Sequence, residues 1–340
     1  MENSIFDHVN NFARFKDVTS IEIKRGEKEV PFISILIPTY KRVDTLKEAL
    51  NSAIEQEGFE NYDIIVLDNC PDRGDETESM IESDYAKVTN LSYYKNTKNL
   101  GMFGNWNRGI ELCRGEYLLL LHDDDLLSPC FLSCIYPILI THNVDLLKTK
   151  QILWNQGTED RPEFPKYEAE QYPKCLKGEL GMILNVFGDK WMPTGLVLNK
   201  AAALKSGGYN TDFYPTSDYA FFAKFLADGN NAYYYDKPLF IYRYLLNTSG
   251  KVETKMLFLD KDDKIRKEIG AKLNLPSWYI LFVRKTHFKF ILRIIQSQKP
   301  GYEHEWNGKK YKKTSFIDTI AYMILTKVDS FYWKMKGKVI

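Results

Sequence analysis

Tyr117-Leu118-Leu119-Leu120-Leu121-His122-Asp123-Asp124-Asp125 joins five consecutive apolar residues to three consecutive carboxylates. An apolar run without alternation is the pattern of a strand covered on both faces, as in the centre of a parallel sheet. Open α/β sheets bind their ligands in the crevice beyond the carboxyl ends of such strands, where these acids would stand. Three like charges repel one another unless a cation sits among them. Hard oxygen ligands suit Mg²⁺ or Mn²⁺, which readily share coordination with phosphate oxygens. The stretch therefore points to a metal–diphosphate site at a strand tip. A solvated acidic turn is the alternative that Asp-Asp-Asp alone leaves open.

Upstream, residues 31–38 read as a β-branched first strand stopped by Pro38, and a helix follows with Asp44 as its N-cap. Residues 64–67 form a second apolar strand ending at Asp68-Asn69. A short helix over 77–83, a strand over 91–94, the turn Asn99-Leu100-Gly101 and a helix over 106–113 complete the approach. Strands alternating with helices at this spacing mean βαβ units and a mostly parallel sheet. Thr39, Asp68, Asn69 and the acid cluster each follow a strand, so all meet at one sheet edge.

Downstream, the patterns give a helix over 129–140, a strand over 146–154 and an irregular segment over 155–175. A turn-to-strand passage covers 191–198, and a short helix over 201–205 is closed by Gly207-Gly208. Thr216-Ser217-Asp218 heads an amphipathic helix over 219–227 with Gly229 as C-cap. Two strands, 232–235 and 239–244, end this half.

With 340 residues, 44% hydrophobic and 14% aromatic, the chain has the composition of a packed globular protein rather than a disordered one. Its five cysteines lack a CxxC pair, the expectation being reduced thiols in a cytoplasmic protein. No apolar run approaches the roughly 20 residues that span a bilayer. The net charge of +1 hides an asymmetry: residues 251–340 hold 20 Lys+Arg against 9 Asp+Glu. There, residues 279–295 and 316–335 read as basic amphipathic helices rich in aromatic residues, a mixture suited to the inner face of a membrane. Packing on the domain, or a homo-oligomer interface, is the other reading. No nucleic acid is expected as a partner.

The ordered set of motifs resembles the family 2 glycosyltransferases, whose GT-A fold binds nucleotide sugars. Residues 34–42 resemble that family's opening strand, and 65–69 its second strand with a terminal acid. Asn99-Leu100-Gly101, with Asn105, Asn107 and Gly109 behind it, is similar to its Asn-x-Gly turn and helix. Asp123-Asp124-Asp125 with Pro129 matches the Asp-x-Asp region, and Gly207-Gly208-Tyr209 with Ser217-Asp218 resembles the Gly-Gly-Phe and Glu-Asp segments. Three departures stand out: His122 replaces the first acid of the run, Ser217 replaces the Glu, and no His follows Tyr242-Arg243-Tyr244.

The resemblance implies an N-terminal arm (1–30), a GT-A domain (31–250) and a basic helical region (251–340). It implies an inverting, metal-dependent enzyme that moves a sugar from a nucleoside diphosphate, UDP favoured, to a glycan or lipid-linked saccharide in surface polysaccharide or glycolipid synthesis. Asp125 and Asp123 become the expected ligands of Mn²⁺ or Mg²⁺, with His122 either a ligand or a spacer. Pro38, Thr39, Tyr40, Arg42, Asp68, Asn69, Asn99, Gly101, Asp123 and Asp124 become the expected donor-nucleotide residues. Asp218 becomes the general base, with an N-cap role open beside it. Trp191, Thr194 and Ser217 stand nearest the acceptor, core packing being the alternative for Trp191. A sugar-nucleotide-forming nucleotidyltransferase would need a glycine-rich loop after the first strand, which Thr39-Tyr40-Lys41-Arg42 lacks. A non-catalytic protein docking on membrane or RNA is the third reading.

Overall fold

The structure, a computed structural model, describes residues 4–168, 170, 173–186, 193–244 and 251–336. The first half alternates as expected: β2 (Ile33–Thr39), α1 (Val43–Ile54), β3 (Tyr62–Asp68), α2 (Glu76–Asp84), β4 (Leu91–Asn96), α3 (Gly101–Leu112) and β5 (Tyr117–Leu120). Strands β4, β3, β2 and β5 are parallel neighbours in that order. The reason these strands read as unbroken apolar runs is visible in their side chains. Ile33, Ile35, Ile37, Ile64 and Val66 face a core under α1, α2 and α4 (Phe131–Thr141). Their alternates Leu36, Ile65, Leu67, Leu118 and Leu120 face a second core under α3 and α7 (Ser217–Ala227). With helices on both faces, every strand position is interior.

Beyond β5 the sheet turns mixed. After the two-residue β6 (Leu126–Leu127) come β7 (Leu146–Trp154), β8 (Leu176–Lys177), α5 (Met182–Val186), β9 (Leu196–Asn199), α6 (Lys200–Lys205) and β10 (Ala232–Arg243). Strand β9 is antiparallel to both β5 and β7, while β7 and β10 run parallel. The pattern suggested two strands over 232–244, but there is one. Pro238 lies at register shifts that bend β10 without ending it, which is how a proline is accommodated in a strand. The N-cap position of the helix after β2 is Arg42, which makes no side-chain capping bond, and Asp44 sits in the first turn instead.

The N-terminal stretch is more than an arm. A 3₁₀ turn (Asn11–Phe15) leads into β1 (Ser20–Lys24), which adds an antiparallel edge to β4. After β10 come α8 (Val252–Lys272), α9 (Ser277–Gln298), a hairpin of β11 (His304–Trp306) and β12 (Lys309–Tyr311), and α10 (Phe316–Lys336). Sequence patterning missed α8 and the hairpin. Ile265 and Ile269 of α8, Val283 of α9 and Leu325 of α10 join the same core as α3 and α7. The five cysteines form no disulfide. No helix among the described residues is long and apolar enough to cross a membrane.

Candidate active site

Strands β2, β3 and β5 end together, and the residues that follow them line one cavity of about 600 Å³. From β2 come Pro38, Thr39, Tyr40 and Arg42; from β3, Asn69; and from the head of α3, Asn99 and Gly101. The loop after β5 supplies His122, Asp123 and Asp124, and the N-terminus of α7 supplies Asp218. Eleven of the residues singled out by sequence thus share one space. Asp68, Asp125, Thr194 and Ser217 do not line it, and Trp191 lies outside the described residues.

The acidic run does not keep strand alternation beyond β5. The Asp125 N–H donates to the His122 carbonyl at 3.2 Å, closing a turn that leaves Asp123 and Asp124 on the cavity and Asp125 behind it. Asp123 is tied to β2: its Oδ2 accepts from Thr39 Oγ1 at 2.7 Å, and its Oδ1 lies 3.3 Å from an Arg42 nitrogen. Burial pushes its pKa up to about 6, the Arg42 charge opposing the shift. Asp124 Oδ2 accepts from the same Arg42 nitrogen at 2.8 Å. Asp125 is fully buried; its Oδ1 accepts the Arg243 N–H at 2.8 Å, and its Oδ2 has no hydrogen-bond partner. Burial and the Asp124 charge hold the Asp125 pKa well above the carboxylate range.

His122 stacks on Trp106, with ring centroids 5.1 Å apart, and its Nδ1 lies 3.7 Å from Asp125 Oδ2. Burial lowers its pKa to about 4, so the imidazole is neutral and able to bind a metal. Its Nε2 also lacks a hydrogen-bond partner. One ligand atom from each of His122, Asp124 and Asp125 falls within 4.8 Å of the others. Asp125 Oδ2, unsatisfied and on the His122 Nδ1 side, makes this set fit a divalent cation, with Asp124 on the cavity side and Asp125 behind. Asp123, expected in the metal pair, bonds Thr39 and Arg42 and is not among the three grouped residues.

Around the β3 end, four asparagines shape the wall. Asn69 Nδ2 donates to Asn99 Oδ1 at 2.8 Å, and Asn69 Oδ1 accepts from Leu100 N–H at 2.9 Å and Asn96 Nδ2 at 3.1 Å. Asn96 in turn donates to Asn105 Oδ1 at 2.7 Å. Asp68 is sealed beneath them. It accepts from Tyr93 Oη at 2.9 Å and from the Cys70 N–H at 2.8 Å, and it pairs with buried Lys95 at 3.2 Å.

Asp218 also lines the cavity, and its Oδ1 accepts the Tyr219 N–H at 2.8 Å. Burial pushes its pKa up to about 7, which the Tyr219 amide only partly offsets. A carboxyl titrating near neutrality is matched to proton abstraction at ordinary pH. Thr194 and Ser217 are fully buried beside this chemistry. The Thr194 hydroxyl accepts the His122 N–H at 3.3 Å, which fixes the loop that carries the histidine.

Residues 34–187 match the family model described as "Glycosyl transferase family 2". That stretch of the chain is similar to the family. The transferase is 25% identical to an uncharacterized glycosyltransferase of Methanocaldococcus jannaschii, over 91% of this chain and 94% of that one. A Campylobacter jejuni protein, named as a GalNAc(5)-diNAcBac-PP-undecaprenol β-1,3-glucosyltransferase, is 31% identical over 31% of this chain and 34% of its own length. The chain spans less than two thirds of several such relatives. Among solved structures, Staphylococcus aureus TarS 1–349 superposes with a TM-score of 0.53 at 15% identity, over 84% of this chain and 97% of that one. The same protein has been crystallised with UDP-GlcNAc. The transferase therefore has the mixed α/β GT-A fold with a helical C-terminal region.

Three parts of the cavity wall escaped sequence reading. Trp106 was visible only as a core aromatic, Tyr214 had no pattern, and the wall from α8, α9 and α10 comes from helices that spacing could not orient.

Proposed function

We propose that this glycosyltransferase moves a sugar from a UDP-sugar to a saccharide hydroxyl with inversion, and that a divalent cation assists. One observation carries the reading: His122 and Asp124 of the cation-competent set line the same cavity as the high-pKa Asp218. Bound between Asp124, Asp125 and His122, Mn²⁺ or Mg²⁺ would neutralise the charge that builds on the departing diphosphate. Pro38, Tyr40, Asn69 and Asn99 would hold the nucleoside, and Arg42, already against Asp123 and Asp124, adds positive charge on the same side. Asp218 takes the proton from the acceptor hydroxyl as its oxygen attacks the anomeric carbon. The new C–O bond forms opposite the breaking bond to phosphate oxygen, whose electron pair leaves with the UDP.

The acceptor is a glycan or lipid-linked saccharide of a cell-envelope polysaccharide, met at the inner face of the membrane through the exposed apolar side of α9 and α10. The undecaprenol-linked substrate in the Campylobacter relative's name supports that class. The test is thermal: Mn²⁺ with UDP raises the melting temperature more than Mn²⁺ with GDP or dTDP, and Mg²⁺ substitutes in part. Equal or absent shifts across the three nucleotides would overturn the donor assignment.

A further inference from the structure

The cavity continues past Asp218, and its far wall is built after residue 251: Phe258, Asp262 and Arg266 from α8, His287 from α9 and Tyr322 from α10. Arg266 is buried, its side chain 4% exposed, and is locked in place. It donates to Tyr219 Oη at 3.0 Å, to the Leu184 carbonyl and to Asp262 Oδ2 at 3.1 Å. Tyr219 is the residue after Asp218, so α8 is bonded to the turn of α7 that carries the base. Asp262 keeps 19% of its side chain exposed and lines the cavity. His287 packs edge-on against Tyr322, with centroids 5.0 Å apart, and Tyr322 lies flat on Phe290 at 3.8 Å.

An ion pair buried in a helix is a poor stabiliser, because desolvation offsets most of its attraction. Its place in a cavity among fixed aromatic rings fits recognition better. Asp262 meets the Arg266 charge, so this lobe holds no surplus of positive charge for a phosphate or carboxylate. The Asp262 oxygens that line it accept hydrogen bonds from hydroxyls. Phe258 and Tyr322 offer apolar surface to the C–H face of a sugar ring.

We propose that this lobe is the acceptor subsite, that it takes a neutral, hydroxyl-rich sugar unit, and that Asp262 binds the hydroxyls of that unit. The inference rests on the donor half proposed above, and it adds that the C-terminal helices choose the acceptor.

The experiment is saturation-transfer NMR on the full chain with Mg²⁺ and UDP. The probes are methyl glycosides of hexoses and N-acetylhexosamines, set against methyl hexuronides and hexose 1-phosphates. At least one neutral glycoside is expected to bind in preference to its charged counterpart. Asp262→Ala and Phe258→Ala are each expected to weaken it about tenfold, the scale of one hydrogen bond to a charged group. Asp262→Asn, which preserves an acceptor oxygen for Arg266, keeps the fold if the alanine variant does not. That amide is expected to narrow the preference for neutral over hexuronide probes. Absence of any glycoside signal, equal or tighter binding of the charged probes, or binding indifferent to Asp262→Asn and Phe258→Ala would overturn the proposal. A wild type that UDP does not stabilise would instead overturn the donor reading.

Discussion

Asp218 and His122 are two residues whose surroundings reverse their ordinary protonation behaviour. Asp218 titrates at about 7, and a general base must be unprotonated, so transfer should rise as pH climbs through that value. Asp218→Asn should lower kcat by about 10²–10⁴, the usual worth of a general base, while UDP binding persists. Stability gives an independent sign. Because the folded-state pKa lies above the unfolded one, the folded chain holds the extra proton between the two values, and stability falls as pH rises from about 4 to about 7 and levels off above that. The Asn variant should therefore melt above the wild type at pH 8, by a smaller margin at pH 5, and close to it only below about pH 4. For His122, a neutral imidazole favours Mn²⁺ over Mg²⁺ relative to an all-oxygen set. His122→Ala should weaken Mn²⁺ binding, read by the paramagnetic resonance of the free ion, more than it weakens Mg²⁺ binding. The charges of the acidic run left a cation site and a solvated turn both open. Which of its acids group with His122 was not legible, because that depends on the turn closed by Asp125 N–H and His122 O.

The elements whose faces are both covered were the ones sequence could place, since their apolar runs have a single explanation. Strand β1 was illegible because it is an edge strand of mixed exposure, and α8 because its charged residues leave only a thin apolar stripe. Between these extremes lies the Gly207-Gly208-Tyr209 segment. Asn107 of α3 brackets Tyr209, donating to its carbonyl and accepting its N–H, both at 2.8 Å. Gly207 has a φ of +89°, and a Cβ there would stand 2.2 Å from the Val9 carbonyl oxygen. The two glycines let α6 stop and the chain pass under the N-terminal arm on its way to Asp218. Gly207→Ala should cost at least about 1–2 kcal/mol from the left-handed backbone alone. A denaturant midpoint that falls with the slope unchanged is the expected readout; an unchanged midpoint would overturn the claim that position 207 needs a left-handed backbone.

At the scale of the whole molecule, the charge asymmetry and the exposed apolar side chains coincide. Ile317, Ile324, Val328 and Phe331 of α10 are 58–72% exposed, and Trp278 and Phe282 of α9 add 71% and 49%. Contiguous apolar surface of this kind marks a contact with something outside the chain. Exposed Lys285, Lys313 and Lys327 accompany it, and the segment that contains it carries the chain's excess of basic residues. Apolar insertion with lysines beside it is the chemistry of an anionic bilayer interface, where each process adds to the other. The opposite faces of these helices wall the cavity, so a docked enzyme would hold its acceptor lobe against the lipid. The full chain should float with vesicles containing phosphatidylglycerol and much less with phosphatidylcholine alone, and added salt should release it. Ile324→Asp combined with Val328→Asp, both on the exposed face, should abolish flotation while UDP still stabilises the protein. A wild type that ignores the vesicles but becomes smaller in solution on the same double substitution would identify the face as a contact between two copies of the chain.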